Sequence, residues 1–191
     1  MNQNILHFFN DMVHKSNIAD SFVSFLIQWV PFIIAAVIVI IFIIGVIRKK
    51  EQYRISAVNA GCLVVLCLVL GFIIGQFVDE ARPMFALTDV TVLLPHSNDS
   101  SFPSDHMLIC FGASFGFFQL RKWFSFVLMG FGLLVGIAKI YAAQHYPSDI
   151  FLTILFVFII YLLYRIFISK WVTKIYLTVE KRIFADAALH V

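Results

Sequence analysis

The sequence predicts an all-α integral membrane protein, a bundle of about five to six transmembrane helices with an N-terminal interfacial helix. Composition is the first reason, because 61% of the 191 residues are hydrophobic and only 13% are charged, whereas a soluble domain carries about 25% charged residues. The second reason is a series of long apolar runs. The third is the clustering of Lys and Arg between alternate runs.

The first 20 residues are too polar to span a bilayer and predict a short amphipathic helix at the membrane interface. Apolar side chains recur there at helical spacing: Ile5, Leu6, Phe8, Phe9, Met12 and Val13. No basic segment precedes a short apolar core with a small-residue cleavage site, so we do not expect a cleaved signal peptide.

Five apolar runs follow, each close to the 17–25 residues that a bilayer core requires. The predicted spans are residues 21–47, 55–78, 104–120, 124–144 and 150–168. Pro31 lies in the first span and is expected to kink it. Small residues in the third and fourth spans are expected to let helices approach closely: Gly112, Ala113, Gly116, Gly130, Gly132 and Gly136.

The basic residues predict how these spans are oriented. Eleven of the 14 Lys and Arg fall within residues 48–54, 121–122 and 165–182, which share one side if all five spans cross. The positive-inside rule makes that side cytoplasmic. The predicted organisation is therefore an interfacial helix (1–20), a transmembrane catalytic bundle (21–168) and a basic cytoplasmic tail (169–191). The segments 79–103 and 145–149 then face outward.

Three outward-facing stretches hold most of the remaining polar side chains, at residues 80–83, 102–106 and 139–149. Pro103 favours an extended chain before Ser104, a natural N-cap for the third span. His106 would then lie in the first helical turn, beside free N–H groups that bind anions.

His145 and Asp149 are spaced i, i+4, so they are neighbours if the fifth span begins there. The carboxylate would fix the imidazole tautomer and leave one nitrogen free to attack. Alternatively, Asp149 only caps that helix. Arg82 and Lys139 supply positive charge for phosphate oxygens. With His106 as general acid, these residues make a complete set for covalent phosphoryl transfer.

The chain also resembles a known family across residues 55–168. Arg82-Pro83, Pro103-Ser104-Asp105-His106 and Lys139-x5-His145-x3-Asp149 resemble the three signatures of the type 2 phosphatidic acid phosphatase (PAP2) superfamily, and in particular its bacitracin-resistance-type undecaprenyl-pyrophosphate phosphatase branch. The resemblance implies a PAP2-like fold that requires no metal. The implied site residues are His145 (nucleophile), Asp149 (its partner), His106 (general acid), and Arg82, Ser104 and Lys139 (phosphate-binding). Asp105, Pro103 and Glu80 complete the predicted substrate-binding set, Glu80 either orienting Arg82 or being an ordinary loop acid.

Three positions depart from the superfamily pattern. Gly75 stands where a lysine is usual, Asp105 replaces the glycine of the second signature, and Ala138-Lys139 replaces a Ser-Arg pair. Lysine keeps the charge but loses the bidentate fork of arginine. We expect these changes to weaken phosphate binding without removing the nucleophile.

The leading functional prediction is a phosphatase of the bacterial cytoplasmic membrane that hydrolyses undecaprenyl pyrophosphate on the outer face. Its partners would be a polyprenyl pyrophosphate lipid and the bilayer, with no nucleic acid. The alternative substrates are phosphatidylglycerol phosphate, phosphatidic acid and related lipids. In another alternative, His106, His145 and Asp149 bind zinc, although Arg82 and Lys139 would repel a cation. A non-catalytic lipid-binding or transport protein is the remaining alternative.

Overall fold

The computed structural model describes residues 2–189, with side chains described as far as residue 182. Met1, at the start of the predicted interfacial segment, and the last two residues of the predicted tail lie outside this range. The described elements are α1 (Asn2–Asn10), α2 (Asn17–Ile47), α3 (Glu51–Gly75), α4 (Pro83–Ala86), α5 (Asp105–Gly116), α6 (Lys122–Tyr141), α7 (Pro147–Leu163), a π-helical segment (Tyr164–Ile168) and α8 (Ser169–Leu189). The predicted all-α class is confirmed.

Within the part of the chain that the structure describes, four helices are long and apolar enough to cross a membrane: α2, α3, α6 and the helix that runs from Pro147 to Arg182. The third predicted span, residues 104–120, is shorter than expected. Its helix α5 has 12 residues, about 18 Å at 1.5 Å per residue, against a bilayer core of about 30 Å. This apolar run reflects burial inside the protein, because α5 is packed among α2, α3, α6 and α7.

Several of the predicted small residues allow neighbouring helices to pack closely, and two of them serve as examples. A Cβ atom on Gly116 would lie 2.5 Å from Ala60 Cα in α3, and one on Gly136 would lie 2.8 Å from Ile150 Cγ2 in α7. The first distance would require movement of the helix backbone, and the second would require at least a shift of the Ile150 side chain. Gly130 differs from this prediction, because no described atom lies within 4 Å of the place where its Cβ would be.

Helix α1 packs on the end of the bundle that α6 and α7 form together. Leu6 is fully buried there. The buried Asn10 amide donates to the carbonyl oxygens of Thr91 and Tyr141, both at 2.8 Å, and its Oδ1 accepts from Thr91 N–H. The predicted N-terminal helix therefore exists, and polar contacts dock it on the protein at the end where residues 79–103 also lie.

The helix that begins at Pro147 continues far beyond residue 168, where the last span was predicted to end. Neither glycine nor proline follows Pro147 in the sequence, so no strong helix breaker interrupts α7, the π-helical segment and α8. Helix α8 packs on α3. An ion pair of 2.6 Å between Arg54 Nε and Glu180 Oε1 joins the two helices.

Candidate active site

Three connecting regions meet at one end of the bundle: the segment 76–104, the turn 142–146 between α6 and α7, and the first turns of α5 and α7. The polar stretches identified in the sequence lie in these regions. The long segment between α3 and α5 is held together by an antiparallel bridge between Ala81 and Ser100, and Ser101 N–H donates to Glu80 O at 2.7 Å. This pairing brings Arg82 opposite Asp99.

Arg82 is the buried cation at the centre of this region, with 3% of its surface exposed. Its Nε donates to Asp99 Oδ1 at 2.8 Å, and its Nη1 donates to Gln144 O at 3.0 Å. The same Nη1 lies 3.0 Å from His145 Nε2. One guanidinium thus joins the 79–103 segment to the turn that carries His145.

The hydrogen bonds of His145 fix its tautomer. Nδ1 lies 2.7 Å from Ser101 O, and a carbonyl oxygen only accepts, so Nδ1 carries the proton. On the other side of the ring, Arg82 only donates, so Nε2 presents its lone pair. Nε2 is therefore the nitrogen available as a nucleophile.

His145 lies in the turn between α6 and α7, outside the membrane-spanning helices, and only 1% of its surface is exposed. Burial lowers the pKa of its imidazole well below the ordinary value, and the positive charges of Arg82 and Lys139 lower it further. The ring is consequently neutral at neutral pH, the form in which an imidazole is nucleophilic.

Asp149 contacts His145 less directly than the i, i+4 spacing predicts. Its Oδ2 lies 3.8 Å from His145 Nδ1, beyond hydrogen-bond distance. The same oxygen accepts from Ser101 Oγ at 2.5 Å and from Tyr146 N–H at 2.8 Å. Asp149 therefore caps α7, as the alternative interpretation held, and also holds Ser101, whose carbonyl binds the imidazole.

Lys139 is buried at the last turn of α6, with 1% of its surface exposed. Its Nζ donates to Gln144 Oε1 at 2.7 Å, and Gln144 Nε2 donates in turn to Leu94 O at 3.2 Å. No carboxylate lies within ion-pair distance of Lys139 among the described side chains. A buried ammonium with a neutral partner is suited to receive an anion.

Ser104 is the N-cap residue of α5, as predicted, but its hydroxyl makes no capping hydrogen bond. Its backbone N–H donates to Thr153 Oγ1 at 3.1 Å. Ser104 Oγ is fully buried and lacks a hydrogen-bond partner among the described residues. Burying a hydroxyl without a hydrogen-bond partner costs free energy. A bound phosphate oxygen would supply that partner.

His106 lies in the first turn of α5 and faces α2. Its Nε2 lies 2.8 Å from Ile27 O, so Nε2 carries a proton and donates to that carbonyl. The charges of Lys139 and Arg82 act on this imidazole. The structure therefore places His106 at the same end of the bundle as His145, and within the described side chains the two rings share no hydrogen bond.

The three further predicted substrate-binding residues differ in their surroundings. Pro103 is buried, whereas Asp105 and Glu80 are exposed. Burial of part of its surface, and secondly the Asp149 carboxylate, raise the pKa of Glu80. Asp99 is the acid that holds Arg82, so the geometry favours the interpretation of Glu80 as an ordinary loop acid.

His96 lies beside His145, with its ring centroid 6.5 Å from that of His145. Its Nδ1 lies 3.5 Å from Asp99 Oδ1. Burial lowers the pKa of His96, and the charges of Arg82 and Lys139 lower it further. Burial favours the neutral form of Asp99, but the hydrogen bond from Arg82, the charge of its guanidinium and smaller effects of neighbouring groups together outweigh burial and lower the pKa of Asp99. Residues 96–99 thus place one imidazole beside the His145 ring and one carboxylate against Arg82.

A zinc site formed by His106, His145 and Asp149 finds no support in this geometry. Within the described residues, no group of three or more His, Cys, Asp or Glu side chains is placed to hold a metal ion. His145 presents its lone pair to the Arg82 guanidinium at 3.0 Å, a position that a cation would not share.

Four residues with structural roles at the site were not assigned one from the sequence: Asp99, Ser101, Gln144 and Thr153. Ser101 acts through its backbone carbonyl, which carries no side-chain signature. Gln144 precedes His145 directly, and its neutral side chain gave no signal of charge. Asp99 follows Arg82 by 17 residues within a long loop, so its place in the sequence does not show that the two side chains pair. Thr153 follows Asp149 by one helical turn, a spacing that could have indicated a shared helix face.

Comparison with known proteins extends these observations. The family profile described as the PAP2 superfamily matches residues 56–173. Undecaprenyl-diphosphatase BcrC of Bacillus subtilis (strain 168) is 30% identical over 150 residues, covering 78% of this chain and 75% of that protein. Bacitracin transport permease protein BcrC of Bacillus licheniformis is 27% identical over 150 residues, covering 78% and 72%. The crystal structure of Aquifex aeolicus LpxE matches with a TM-score of 0.65 and 24% identity, covering 85% of this chain and 93% of that one.

Proposed function

The chain belongs to the PAP2 superfamily of phosphatases, and on that premise we propose that it hydrolyses undecaprenyl pyrophosphate to undecaprenyl phosphate. The observation that carries the chemistry is the fixed tautomer of His145, whose Nε2 lone pair faces Arg82 at 3.0 Å. A phosphate group bound by Arg82 would lie next to that lone pair. The substrate is supported by the 30% identical relative named undecaprenyl-diphosphatase.

In the first step of the proposed reaction, His145 Nε2 attacks the terminal phosphorus. The bond from phosphorus to the bridging oxygen breaks, its electron pair stays on the leaving oxygen, and that oxygen takes a proton from His106. Positive charge develops on the His145 ring during attack. Ser101 O accepts from Nδ1–H, and the Asp149 carboxylate 3.8 Å away stabilises this charge.

In the second step, water attacks the phosphohistidine. His106 takes a proton from the water, the phosphorus–nitrogen bond breaks, and His145 regains its Nε2 lone pair. Arg82, Lys139 and the hydroxyl of Ser104 would hold the non-bridging oxygens through both steps. This scheme needs no metal ion, so turnover should survive EDTA. Loss of activity that zinc restores would contradict it.

Phosphate binding requires a change in the contacts of Arg82. The guanidinium already donates to Asp99, Gln144 O and His145. An incoming phosphate dianion carries more negative charge than the Asp99 carboxylate and can accept two hydrogen bonds from one guanidinium. We therefore propose that phosphate replaces Asp99 at Nε and His145 at Nη1 as the 96–99 segment moves aside, which frees the Nε2 lone pair of His145 for attack.

The proposed setting is a bacterial cytoplasmic membrane with the active site facing outward. The basic residues at the opposite end of the bundle support this orientation through the positive-inside rule. Hydrolysis there would regenerate the lipid carrier used in cell-wall synthesis. It would also remove a pyrophosphate lipid from the outer face, which is the proposed link to bacitracin resistance.

The test is phosphate release by purified protein from undecaprenyl pyrophosphate, compared with phosphatidylglycerol phosphate and phosphatidic acid. Preference for the glycerolipids would replace the proposed substrate by the alternative one. His145→Ala and His106→Ala should each lose activity, His145→Ala by about 10³-fold or more. His14→Ala, which changes an exposed histidine outside the site, is the matched control and should retain it.

One relative is named a transport permease, so a non-catalytic lipid-binding or transport protein is the second candidate function. Buried nucleophile geometry favours the enzyme, because a carrier has no need of an imidazole held in one tautomer. An inactive wild type on every lipid phosphate tested, with lipid movement in proteoliposomes intact, would favour the transporter.

A further inference from the structure

A proline in α2 and a histidine in α5 are joined through one carbonyl oxygen. Pro31 lies inside α2 and has no backbone N–H. In an uninterrupted helix the N–H of residue 31 would donate to the carbonyl oxygen of residue 27. Ile27 O therefore lacks its helical donor, and it accepts instead from His106 Nε2 at 2.8 Å.

This contact determines which nitrogen of His106 is available for chemistry. Because Nε2–H donates to a carbonyl, Nε2 keeps its proton whether the ring is neutral or charged. Proton exchange is then confined to Nδ1. The ring is also held in a fixed orientation by the hydrogen bond, and a second group that orients a catalytic histidine is a recurring requirement of acid–base sites.

We propose that Pro31 is a positioning residue for the general acid: by freeing Ile27 O, it fixes the tautomer and orientation of His106, so that Nδ1 delivers the proton to the leaving oxygen. This inference rests on the proposed function, in which His106 protonates the leaving group. Pro31 itself touches no substrate. Its effect on catalysis passes entirely through the carbonyl of Ile27.

The test is a double-mutant cycle on phosphate release from farnesyl pyrophosphate, with wild type, Pro31→Ala, His106→Ala and the double variant. Alanine restores the N–H that competes for Ile27 O, so Pro31→Ala should lower kcat by about 10-fold, a fraction of the 10²–10⁴ that general acid catalysis supplies, while KM changes little. In the His106→Ala background the same substitution should have no further effect.

The double-mutant cycle distinguishes failure of the general-acid role of His106 from failure of the positioning role of Pro31. If His106→Ala keeps full activity, the proposed general-acid role fails. If His106→Ala is impaired but Pro31→Ala retains wild-type kcat, or lowers kcat equally in both backgrounds, the positioning role of Pro31 is overturned while the proposed function stands.

A leaving-group comparison supplies a readout that general damage to α2 would not give. Phosphatidic acid releases an alcohol whose oxygen must take a proton, whereas p-nitrophenyl phosphate releases a stable anion. Pro31→Ala should therefore slow hydrolysis of phosphatidic acid by about 10-fold and hydrolysis of p-nitrophenyl phosphate by less than about 2-fold. An equal loss on both substrates would contradict the inference. Ring ¹⁵N spectra of His106 should show a fixed Nε2–H form in wild type and a mixture of tautomers in Pro31→Ala.

Pro31→Ala/Ala35→Pro is the matched control for helix shape. It keeps one proline inside α2 at an exposed position but frees the carbonyl of residue 31 in place of that of Ile27. We expect it to lose kcat as Pro31→Ala does. Full activity in this variant would show that helix distortion, and not the Ile27 carbonyl, is what matters.

Discussion

The protonation state of His145 governs the chemistry at the scale of single residues. Burial and two cations lower the pKa of its ring, so His145 should remain neutral, with the proton on Nδ1, at pH 6, below the ordinary histidine value of about 6.5. Ring ¹⁵N spectra of histidine-labelled protein in micelles measure this directly, with the His145 signal identified by its absence in His145→Ala. Titration at the ordinary value would contradict the lowered pKa, and a neutral ring with its proton on Nε2 would contradict the tautomer described above.

The same shift has a consequence for stability. The folded-state pKa of His145 lies below its unfolded-state value, so protonation favours the unfolded chain. The free energy of unfolding should therefore fall as the pH decreases from about 6.5 towards the folded-state pKa. His145→Gln should weaken this dependence, which thermal unfolding at several pH values would show.

Lys139 is the second residue whose replacement is informative. Its buried ammonium has only the neutral Gln144 side chain as its partner at 2.7 Å, so we expect its main role to lie in phosphate binding. Lys139→Met should lower kcat/KM by about 10²–10³-fold, the range seen when one donor to a transition-state oxyanion is removed. Lys139→Arg should retain more activity because it keeps the charge. Lys15→Met, at an exposed position, is the control and should behave as wild type.

At the scale of helices, substitution of one tightly packed glycine and one unpacked glycine tests the helix packing described above. Gly116→Ala would push a Cβ to 2.5 Å from Ala60 Cα and should reduce the free energy of unfolding by about 1–3 kcal/mol. Gly130→Ala points into open space in α6 and should raise it by about 0.5–1 kcal/mol, since alanine favours helix. Unfolding of both variants in the same detergent measures the two effects. The result to look for is their opposite sign.

Helix positions were predictable where the apolar runs face lipid, and less so where they face protein. The sequence indicates α2, α3 and α6 to within a few residues, because each long apolar run requires a helix in a bilayer. The span predicted at residues 104–120 was longer than helix α5, because an apolar run buried among other helices has the same hydropathy as a run in lipid. Helix α8 was not predicted, because the basic residues of this segment were interpreted as a cytoplasmic tail that follows the last span.

At the candidate site, the side chains could be predicted from the sequence but their backbone partners could not. The sequence singles out Arg82, Lys139 and His145 because polar and charged groups near membrane-buried helix ends are rare. It does not predict how His145 and His106 are oriented, because each imidazole donates to a backbone carbonyl, Ser101 O and Ile27 O respectively. A carbonyl oxygen is present at every residue, so only the folded chain shows which ones serve a histidine.

At the scale of the whole molecule, orientation in the membrane is the property to test. Asn98→Cys lies in the exposed 79–103 segment, and Lys170→Cys lies in α8 at the opposite end of the bundle. In right-side-out membrane vesicles, a membrane-impermeant maleimide should label the first and reach the second only after permeabilisation. The native Cys62, Cys67 and Cys110 lie inside α3 and α5, so wild type is the background control. The reverse labelling pattern would place the active site on the cytoplasmic face.

The π-helical segment Tyr164–Ile168 has a consequence for how the chain tolerates changes in length. A π turn contains one residue more than an α turn, and each residue turns the helix by about 100°. The insertion thereby sets the direction in which α8 presents Thr173, Tyr176 and Glu180 to α3, where Asn59 and Arg54 receive them. Relatives that lack this one residue would need a different set of contacts along the whole of α8. The π-helical segment and the polar contacts between α8 and α3 should therefore be gained or lost together.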